Sequence, residues 1–308
     1  MNILQDEKII KVKDSYGIGL GNFDGIHLAH EKLIRTLVEE CKKEKIKSMI
    51  YTFDEHPTVV LNKDSIKLIS TMEKKIEILE ELNVDTLCLR NFDSQFSSME
   101  AEEFIKKILV DKYNVKIILI GFNYHFGYKG SGDAALLEKL GREYGFRVIT
   151  IQAMKYGDEI ISSSNIRAKI KEGDMEGTKN LLGKYYSIKG RVEYGNRIGT
   201  LIGFPTANII PLKDYALPKS GVYYTNTIVD GKTYESITNL GFNPTIDQGE
   251  KVIIETHIFD FSGWLYGKEI EVIFKQHIRN EVKFADITKL KEQILIDIDY
   301  VKKIYGGS

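Results

Sequence analysis

An α/β domain built on a mostly parallel sheet, followed by an antiparallel β-barrel or sandwich that ends in a helix, is the fold class this 308-residue chain predicts. Three observations predict it. Strand-like and helix-like segments alternate from Tyr16 to Ile151. Around Lys184 the texture changes: Pro205, Pro211, Pro218 and Pro244, four of the five prolines, fall close together and short alternating runs replace helices. Helical spacing then returns in the final segment. At about 150 residues per domain the length fits two domains, placed at residues 1–183 and 184–308 with the join in the charged stretch Lys169–Lys184.

In order, Ile18–Leu20 is strand-like within the short apolar run from Tyr16 to Leu20, and Leu33, Ile34, Leu37, Val38 and Cys41 mark the apolar stripe of the helix after it. Lys47–Phe53 (KSMIYTF) is the next strand. Ser70 and Glu73 form a capping-box pattern before a helix carrying Met72, Ile76, Leu79 and Leu82. Thr86–Leu89 is strand-like. Ser97 with Glu100 suggests a second capping box, opening a helix lined by Phe104, Ile105, Ile108 and Leu109. Val115–Ile120 is almost continuously apolar, as a strand buried on both faces must be. Leu136, Leu137, Leu140 and Tyr144 mark a helix, and Arg147–Ile151 a strand. In the second half, Ile188/Gly190/Val192, Val252/Ile254/Thr256/Ile258 and Ile270/Val272/Phe274 alternate, and Asp230–Gly231 signals a hairpin. Ile287, Leu290, Ile294, Ile298 and Val301 follow the N-cap candidate Asp286 and give a closing helix packed on that second sheet.

Composition excludes several function classes. Hydrophobic content of 43% and charged content of 28% are those of an ordinary globular protein. A net charge of −1 gives no electrostatic case for nucleic acid or a membrane surface. Cys41 and Cys88 sit in apolar patterns and read as reduced, buried thiols. The N-terminal segment mixes charge into its apolar residues, unlike a signal peptide, and no apolar run approaches the ~20 residues of a membrane span. A cytoplasmic, soluble protein is the expectation; oligomeric state is not legible.

Polar residues concentrate after the strands of the first half, at the sheet edge where ligands gather in such folds. Leu20–His30 reads LGNFDGIHLAH: Gly21 and Gly25 bracket a turn, and His27 and His30 stand on one face where a helix begins, suited to phosphate. A bare HxxH is more often a plain turn with solvated histidines. Asp54 and His56 follow KSMIYTF, GFNYHFG (Gly121–Gly127) follows the most buried strand, and ISSSNIR (Ile161–Arg167) sets three hydroxyls and an arginine at a helix start. A Walker loop is absent: Asn226 replaces the glycine that Gly231-Lys232-Thr233 would need upstream. No GxGxxG follows the first strand.

These motifs in this order resemble the bacterial bifunctional riboflavin kinase/FAD synthetases along nearly the whole chain. GNFDGIHLAH resembles the HxGH motif of nucleotidyltransferases, and specifically the GNFDGxHxGH of that family. TFDEHP (Thr52–Pro57), ISSSNIR, GFPTAN (Gly203–Asn208), SGVY (Ser220–Tyr223), NLGFNPT (Asn239–Thr245), ETH (Glu255–His257) and LYG (Leu265–Gly267) continue the match. The resemblance implies an HxGH-type Rossmann-like nucleotidyltransferase, then a six-stranded antiparallel riboflavin kinase barrel with a C-terminal helix. It implies ATP-dependent phosphorylation of riboflavin to FMN, then adenylylation of FMN to FAD and pyrophosphate. By resemblance, His27 and His30 stabilise the transferring phosphoryl group; Gly21, Phe23, Asp24, Gly25, Asn123, Ser163, Ser164 and Arg167 bind ATP or its phosphates in the first site, and Gly203 and Thr206 in the second. Thr206 and Asn208 hold Mg²⁺, Glu255 is the general base of the kinase, and Arg279 and Tyr266 contact flavin. One position departs from the family: the HxGH glycine is Ala29, whose methyl narrows the space for a base. That departure motivates one alternative, a riboflavin kinase with an impaired adenylyltransferase site; another is a flavin-binding regulatory protein on the same scaffold.

Overall fold

Alternation in the first half resolves into six strands: β1 (Asn2–Gln5), β2 (Tyr16–Leu20), β3 (Lys47–Phe53), β4 (Thr86–Arg90), β5 (Val115–Gly121) and β6 (Arg147–Ile151). All pair in parallel, in the order β1-β4-β3-β2-β5-β6. The structure is a computed structural model describing residues 1–55, 66–195, 198–245 and 249–305; His56 and Pro57 of TFDEHP lie outside the described residues. Contacts gather into two compact units, one of Met1–Ile66 with Ser70–Ser163, the other of Lys67–Ile69 with Ser164–Ser308.

In the first unit the order of strands reverses at β2, which has β3 on one side and β5 on the other. The crevice beyond the carboxyl ends of β2 and β5 is therefore the topological switch point, where such sheets bind ligands. Every residue of β2 is buried. A Cβ on Gly17 would run into Cys41 of α1 (Leu28–Glu44), and one on Gly19 would lie 3.2 Å from Leu33 and 3.3 Å from Leu37 of the same helix, so the two glycines let the helix press close to the strand. The stripe Leu33, Ile34, Leu37, Val38 and Cys41 is buried as its spacing requires. Cys41 and Cys88 are free, buried thiols, and burial pushes both up to about 12.

Two caps differ from expectation. Thr71, not Ser70, caps α2 (Met72–Glu81), accepting from Lys74 N. Ser70 is drawn away because its hydroxyl accepts from Gly25 N at 3.2 Å. Ser97 caps nothing: Asp93 caps the short helix Ser94–Ser97, and the helix entered at Glu100 has no side-chain cap before running on as a π-helix, Phe104–Lys112. The edge strand β1 was not expected, since its residues are short and mixed with polar ones. It is anchored by Asp6, which is 0% exposed and receives Tyr113 Oη at 2.6 Å, Lys112 Nζ at 2.8 Å and Arg90 Nη1 at 3.0 Å. The helix α3 (Ala134–Tyr144) is capped by Asp133, and a small hairpin, β7 (Lys155–Tyr156) with β8 (Glu159–Ile160), ends the unit.

The stretch expected as a join is mostly helical. α4 (Ser163–Glu172) and α5 (Met175–Leu182) are separated only by Gly173, at φ +78°, and Asp174, which caps α5. Both bury an apolar face, and from Ser164 onward they group with the second unit. There β9 (Tyr186–Glu193), β10 (Ala207–Pro211), β11 (Gly221–Val229), β12 (Lys232–Thr245), β13 (Gly249–Ile258) and β14 (Glu269–Arg279) close an antiparallel barrel in the order β10-β13-β12-β11-β14-β9. Asp230 and Gly231, at φ +47° and +76°, form the tight β11–β12 turn. Inside, Ile188, Val192, Ile209, Leu240, Ile254, Val272 and Phe274 are buried, beside a belt of fully buried hydroxyls. Thr225, Thr227, Ser236, Thr238 and Thr256 satisfy one another at 2.8–2.9 Å. α6 (Ile287–Tyr305), capped by Asp286, packs Ile294, Ile298 and Val301 against Val222, Tyr224, Ile237 and Phe259 of the barrel. Among the described residues no helix is long and apolar enough to cross a membrane.

Two candidate active sites

In the first unit the chain leaves β2 into the turn Gly21–Ile26, and α1 begins with His27 as its N-cap. His27 Nδ1 accepts from His30 N at 3.3 Å, which leaves Nε2 as the N–H of the neutral ring. The two imidazoles stack with centroids 3.7 Å apart and an interplanar angle of 14°. They stand at the N-terminus of a 17-residue helix, where backbone N–H groups also favour negative charge. The turn itself is tightly tied. Asp24, 5% exposed, accepts Ser70 N at Oδ1 (3.2 Å), and its carbonyl accepts Ser163 Oγ at 3.2 Å. The Asn22 carbonyl accepts both Lys75 Nζ at 2.8 Å and Thr52 Oγ1 at 3.1 Å. Gly25 has φ +81°, and Gly21 lies under the Phe23 ring, 3.2 Å from where a Cβ would stand.

Across the switch point, Asn123 sits exposed in the turn after β5, where Tyr124 N bonds to Gly121 O. Half-buried rings surround that edge: Phe53, Phe92 and Phe96 meet edge to face at 5.1–5.9 Å, and Tyr124 stacks on Phe126 at 5.7 Å. The structure thus brings His27, His30, Gly21, Phe23, Asp24, Gly25 and Ser163 together. Ser164 and Arg167 group with the second unit, and Arg167 Nε donates to Lys67 O at 2.8 Å. Sequence reasoning missed Thr52, Ser70 and Lys75. Lys75 carried a signal: it occupies the i position of the i, i+4, i+7 stripe completed by buried Leu79 and Leu82, an apolar place for a charged residue.

In the second unit, register builds the site. Asn208 on β10 lies opposite Glu255 on β13, and Glu255 lies opposite Asn239 on β12. Their neighbours Ala207, Ile209, Ile254, Thr256, Thr238 and Leu240 point into the barrel, so Asn208, Glu255 and Asn239 form a row on its outer face. Glu255 is half-buried; burial first, and the Glu281 carboxylate second, raise its carboxyl above the usual range. Thr206 precedes β10. It is positioned by His257, whose Nδ1 meets the Pro205 carbonyl at 2.8 Å, and by the Phe204 N to Gly199 O bond of 2.8 Å. A Cβ on Gly199 would lie 3.2 Å from Thr206 Oγ1, and one on Gly195 would lie 2.7 Å from Asn208 Oδ1 and nearer still to Nδ2. Backbone therefore walls in both side chains. Gly203, at φ +89°, makes the bend before them. Gly195 was missed, and His257 was named only as the end of ETH, without a role: each acts through a neighbour.

Tyr266 stacks on Tyr194 at 4.0 Å and is met edge-on by the exposed Trp264 at 5.0 Å, giving an open aromatic ladder beside Gly195. Arg279 is fully engaged: its guanidinium grips Asp297 of α6 in a fork at 2.8–3.0 Å and donates to Asn280 O at 3.1 Å.

Comparison with known proteins agrees with both halves. A family model described as FAD synthetase matches residues 10–165, and one described as riboflavin kinase matches residues 182–305. A bifunctional riboflavin kinase/FMN adenylyltransferase of Buchnera aphidicola subsp. Schizaphis graminum is 40% identical over 300 residues, 96% of either chain. The protein of that name from Escherichia coli K12 is 35% identical, covering 93% of this chain and 92% of its own. A solved chain named a macrolide-efflux protein, from Streptococcus pneumoniae, superposes with a TM-score of 0.90 at 30% identity, over 99% of this chain and 100% of that one. Its name describes that protein; here both halves match enzyme models. The chain belongs to the bifunctional riboflavin kinase/FMN adenylyltransferase family.

Proposed function

We propose that the chain phosphorylates riboflavin at the barrel and adenylylates FMN at the parallel sheet, with residues 184–308 and 1–183 carrying the two reactions. The observation that carries this is the register of the barrel, which sets Glu255 between Asn208 and Asn239 on one wet face beside Thr206. Glu255 takes the proton of the ribityl 5′-hydroxyl as its oxygen attacks the γ-phosphorus of ATP, and ADP leaves. A carboxyl raised by burial is a stronger base than a solvated one and is matched to that task. The Thr206 hydroxyl and Asn208 carboxamide are neutral oxygen donors, with a carboxylate in register, a set that fits a hard, partly hydrated cation. Thr206 and Asn208 would hold Mg²⁺ there, and the ion would supply neutralisation of phosphate charge. Tyr266, just before β14, offers a stacking face to a planar ring, and Arg279, at the far end of that strand, is held by Asp297.

At the first site an FMN phosphate oxygen attacks the α-phosphorus of ATP and pyrophosphate leaves. FMN supplies the nucleophile, so the protein aligns and neutralises. The stacked His27 and His30, with the α1 N-terminus, hold the transferring phosphoryl group; Asn123 and Ser163 hold phosphates, and the rings around Phe53 and Tyr124 give flavin an apolar edge. Neither alternative is favoured: both family models match, one in each half of the chain. Product analysis tests the proposal. Riboflavin with Mg·ATP gives FMN and then FAD, and Glu255→Gln stops the first step while FMN is still converted to FAD. Persistent riboflavin phosphorylation in Glu255→Gln refutes the assignment.

A further inference from the structure

The turn that carries the histidine pair is held by a buried cation to which no step above assigns a role. Lys75 on α2 is 6% exposed, and its ammonium donates to the Asn22 carbonyl at 2.8 Å. Thr52, near the carboxyl end of β3, donates to the same oxygen at 3.1 Å. That carbonyl opens a strained segment. Phe23, Gly25 and Ile26 have φ of +50°, +81° and +38°, and two of these residues carry side chains that disfavour the left-handed region. A backbone in that state persists only where its surroundings over-determine it. Here Lys75 and Thr52 grip Asn22, Ser70 grips both Asp24 and Gly25, and Ser163 grips the Asp24 carbonyl.

A lysine is a poor choice if the position serves only packing. Burial lowers its pKa to about 8, with Asp24 opposing that shift, which records how unfavourable the buried ammonium is. A hydrocarbon side chain of similar length fills such a place without that penalty. What the ammonium adds is a second strong donor on one carbonyl, fixing the Asn22–Phe23 peptide plane. Phe23 in turn places its ring 5.1 Å from that of His30, tilted at 58°. The chain of contacts runs from Lys75 to the Asn22 carbonyl, to Phe23, to the histidines.

We propose that Lys75 is a positioning residue for adenylyl transfer: together with Thr52 it locks the Asn22 carbonyl, so that the strained turn holds His27 and His30 stacked at the helix start before ATP arrives. This rests on reading the histidine pair as the adenylyl-transfer site. The assay is FAD formation from FMN and Mg·ATP, with riboflavin phosphorylation by the same chain as the internal control. Lys75→Met lowers kcat for FAD formation by about 10-fold or more, leaves KM for ATP within about threefold, and leaves the kinase within about twofold of wild type. Lys75→Arg restores a donor and a cation and recovers part of kcat. Wild-type kcat declines above pH about 8 as the ammonium loses its proton, and Lys75→Arg lacks that decline. Among the described residues Asp24 is the charged group acting on the amine. Thr52→Val leaves the ammonium as the one remaining donor of the pair, so its FAD formation drops more between pH 7 and pH 9 than that of wild type; this arm decides the matter if Lys75→Met does not fold. A kcat for Lys75→Met within about twofold of wild type, a parallel loss of both activities, or equal pH losses in Thr52→Val and wild type overturns the proposal. His27→Ala separates the two readings. FAD formation surviving in His27→Ala removes the site assignment itself; FAD formation abolished there but intact in Lys75→Met removes only the role of Lys75.

Discussion

Replacing Gly195 by alanine strikes the proposed kinase site without touching any reacting group. The new Cβ would lie 2.7 Å from Asn208 Oδ1, whereas ordinary contact begins at 3.4 Å, so the carboxamide oxygen must retreat by at least 0.7 Å and its nitrogen by more. Asn208 is on the outer face of the barrel and half-buried, so the side chain swings aside at little loss of stability. Its alignment opposite Glu255 is what it loses. A displacement near 1 Å at a reacting centre costs up to about 100-fold in rate, so a fall of roughly 10- to 100-fold in kcat/KM for riboflavin phosphorylation is expected, equivalent to about 1.4–2.7 kcal/mol. The assay is FMN production under initial-rate conditions, with FAD formation from FMN on the same preparation as control. Phosphorylation within about threefold of wild type would show that Asn208 does not need its observed place, and would refute the assignment.

Three further outcomes follow from other parts of the molecule. Asp6→Ala strands Arg90 and Lys112 against a buried position, a change worth about 3–5 kcal/mol, and should lower the unfolding temperature by on the order of 10 °C; a shift below about 2 °C contradicts the anchoring role. Kinase kcat/KM should fall as pH drops through the raised pKa of Glu255, because the base must be ionised. Glu281→Gln removes one cause of that rise and should carry activity to lower pH, and an unmoved acid limb in the pH profile is the contrary result. Ala29→Gly, in the first turn of α1 between the histidines, should lower KM for ATP in FAD formation by about 10-fold if the methyl crowds the base, relieving about 1–3 kcal/mol; an unchanged KM shows that the family departure is silent.

Both architectures were legible in the sequence because their signals are periodic. The α1 stripe ending at Cys41 and the alternation Ile270/Val272/Phe274 report faces buried over several residues, and both are where their spacing puts them; the closing helix keeps its stripe from Ile294 onward, while Ile287 at its start is exposed. Caps were less legible, since a single hydroxyl can be claimed from elsewhere: Ser70 serves Gly25, and Thr71 takes its place. β1 was not legible because four edge residues carry no pattern and depend on Asp6, whose partners are far along the chain. In the candidate sites, residues presented to substrate are named by the motifs, GNFDGIHLAH and GFPTAN above all. The roles of residues acting through a neighbour are not. Thr52 and His257 lie inside TFDEHP and ETH, yet nothing in the motifs says that they hold a carbonyl; Lys75 and Gly195 lie outside the motifs, and only coordinates bring Lys75 to Asn22 or Gly195 to Asn208.

The account stands on two independent reaction centres in one chain, and complementation tests that most directly. His27→Ala alone should convert riboflavin to FMN and stop; Glu255→Gln alone should leave riboflavin unchanged yet convert supplied FMN to FAD. Mixed in equal amounts with riboflavin and Mg·ATP, the two variants should restore FAD, since each supplies the step that the other lacks. A mixture that forms no FAD, or a single variant that loses both reactions, contradicts the account.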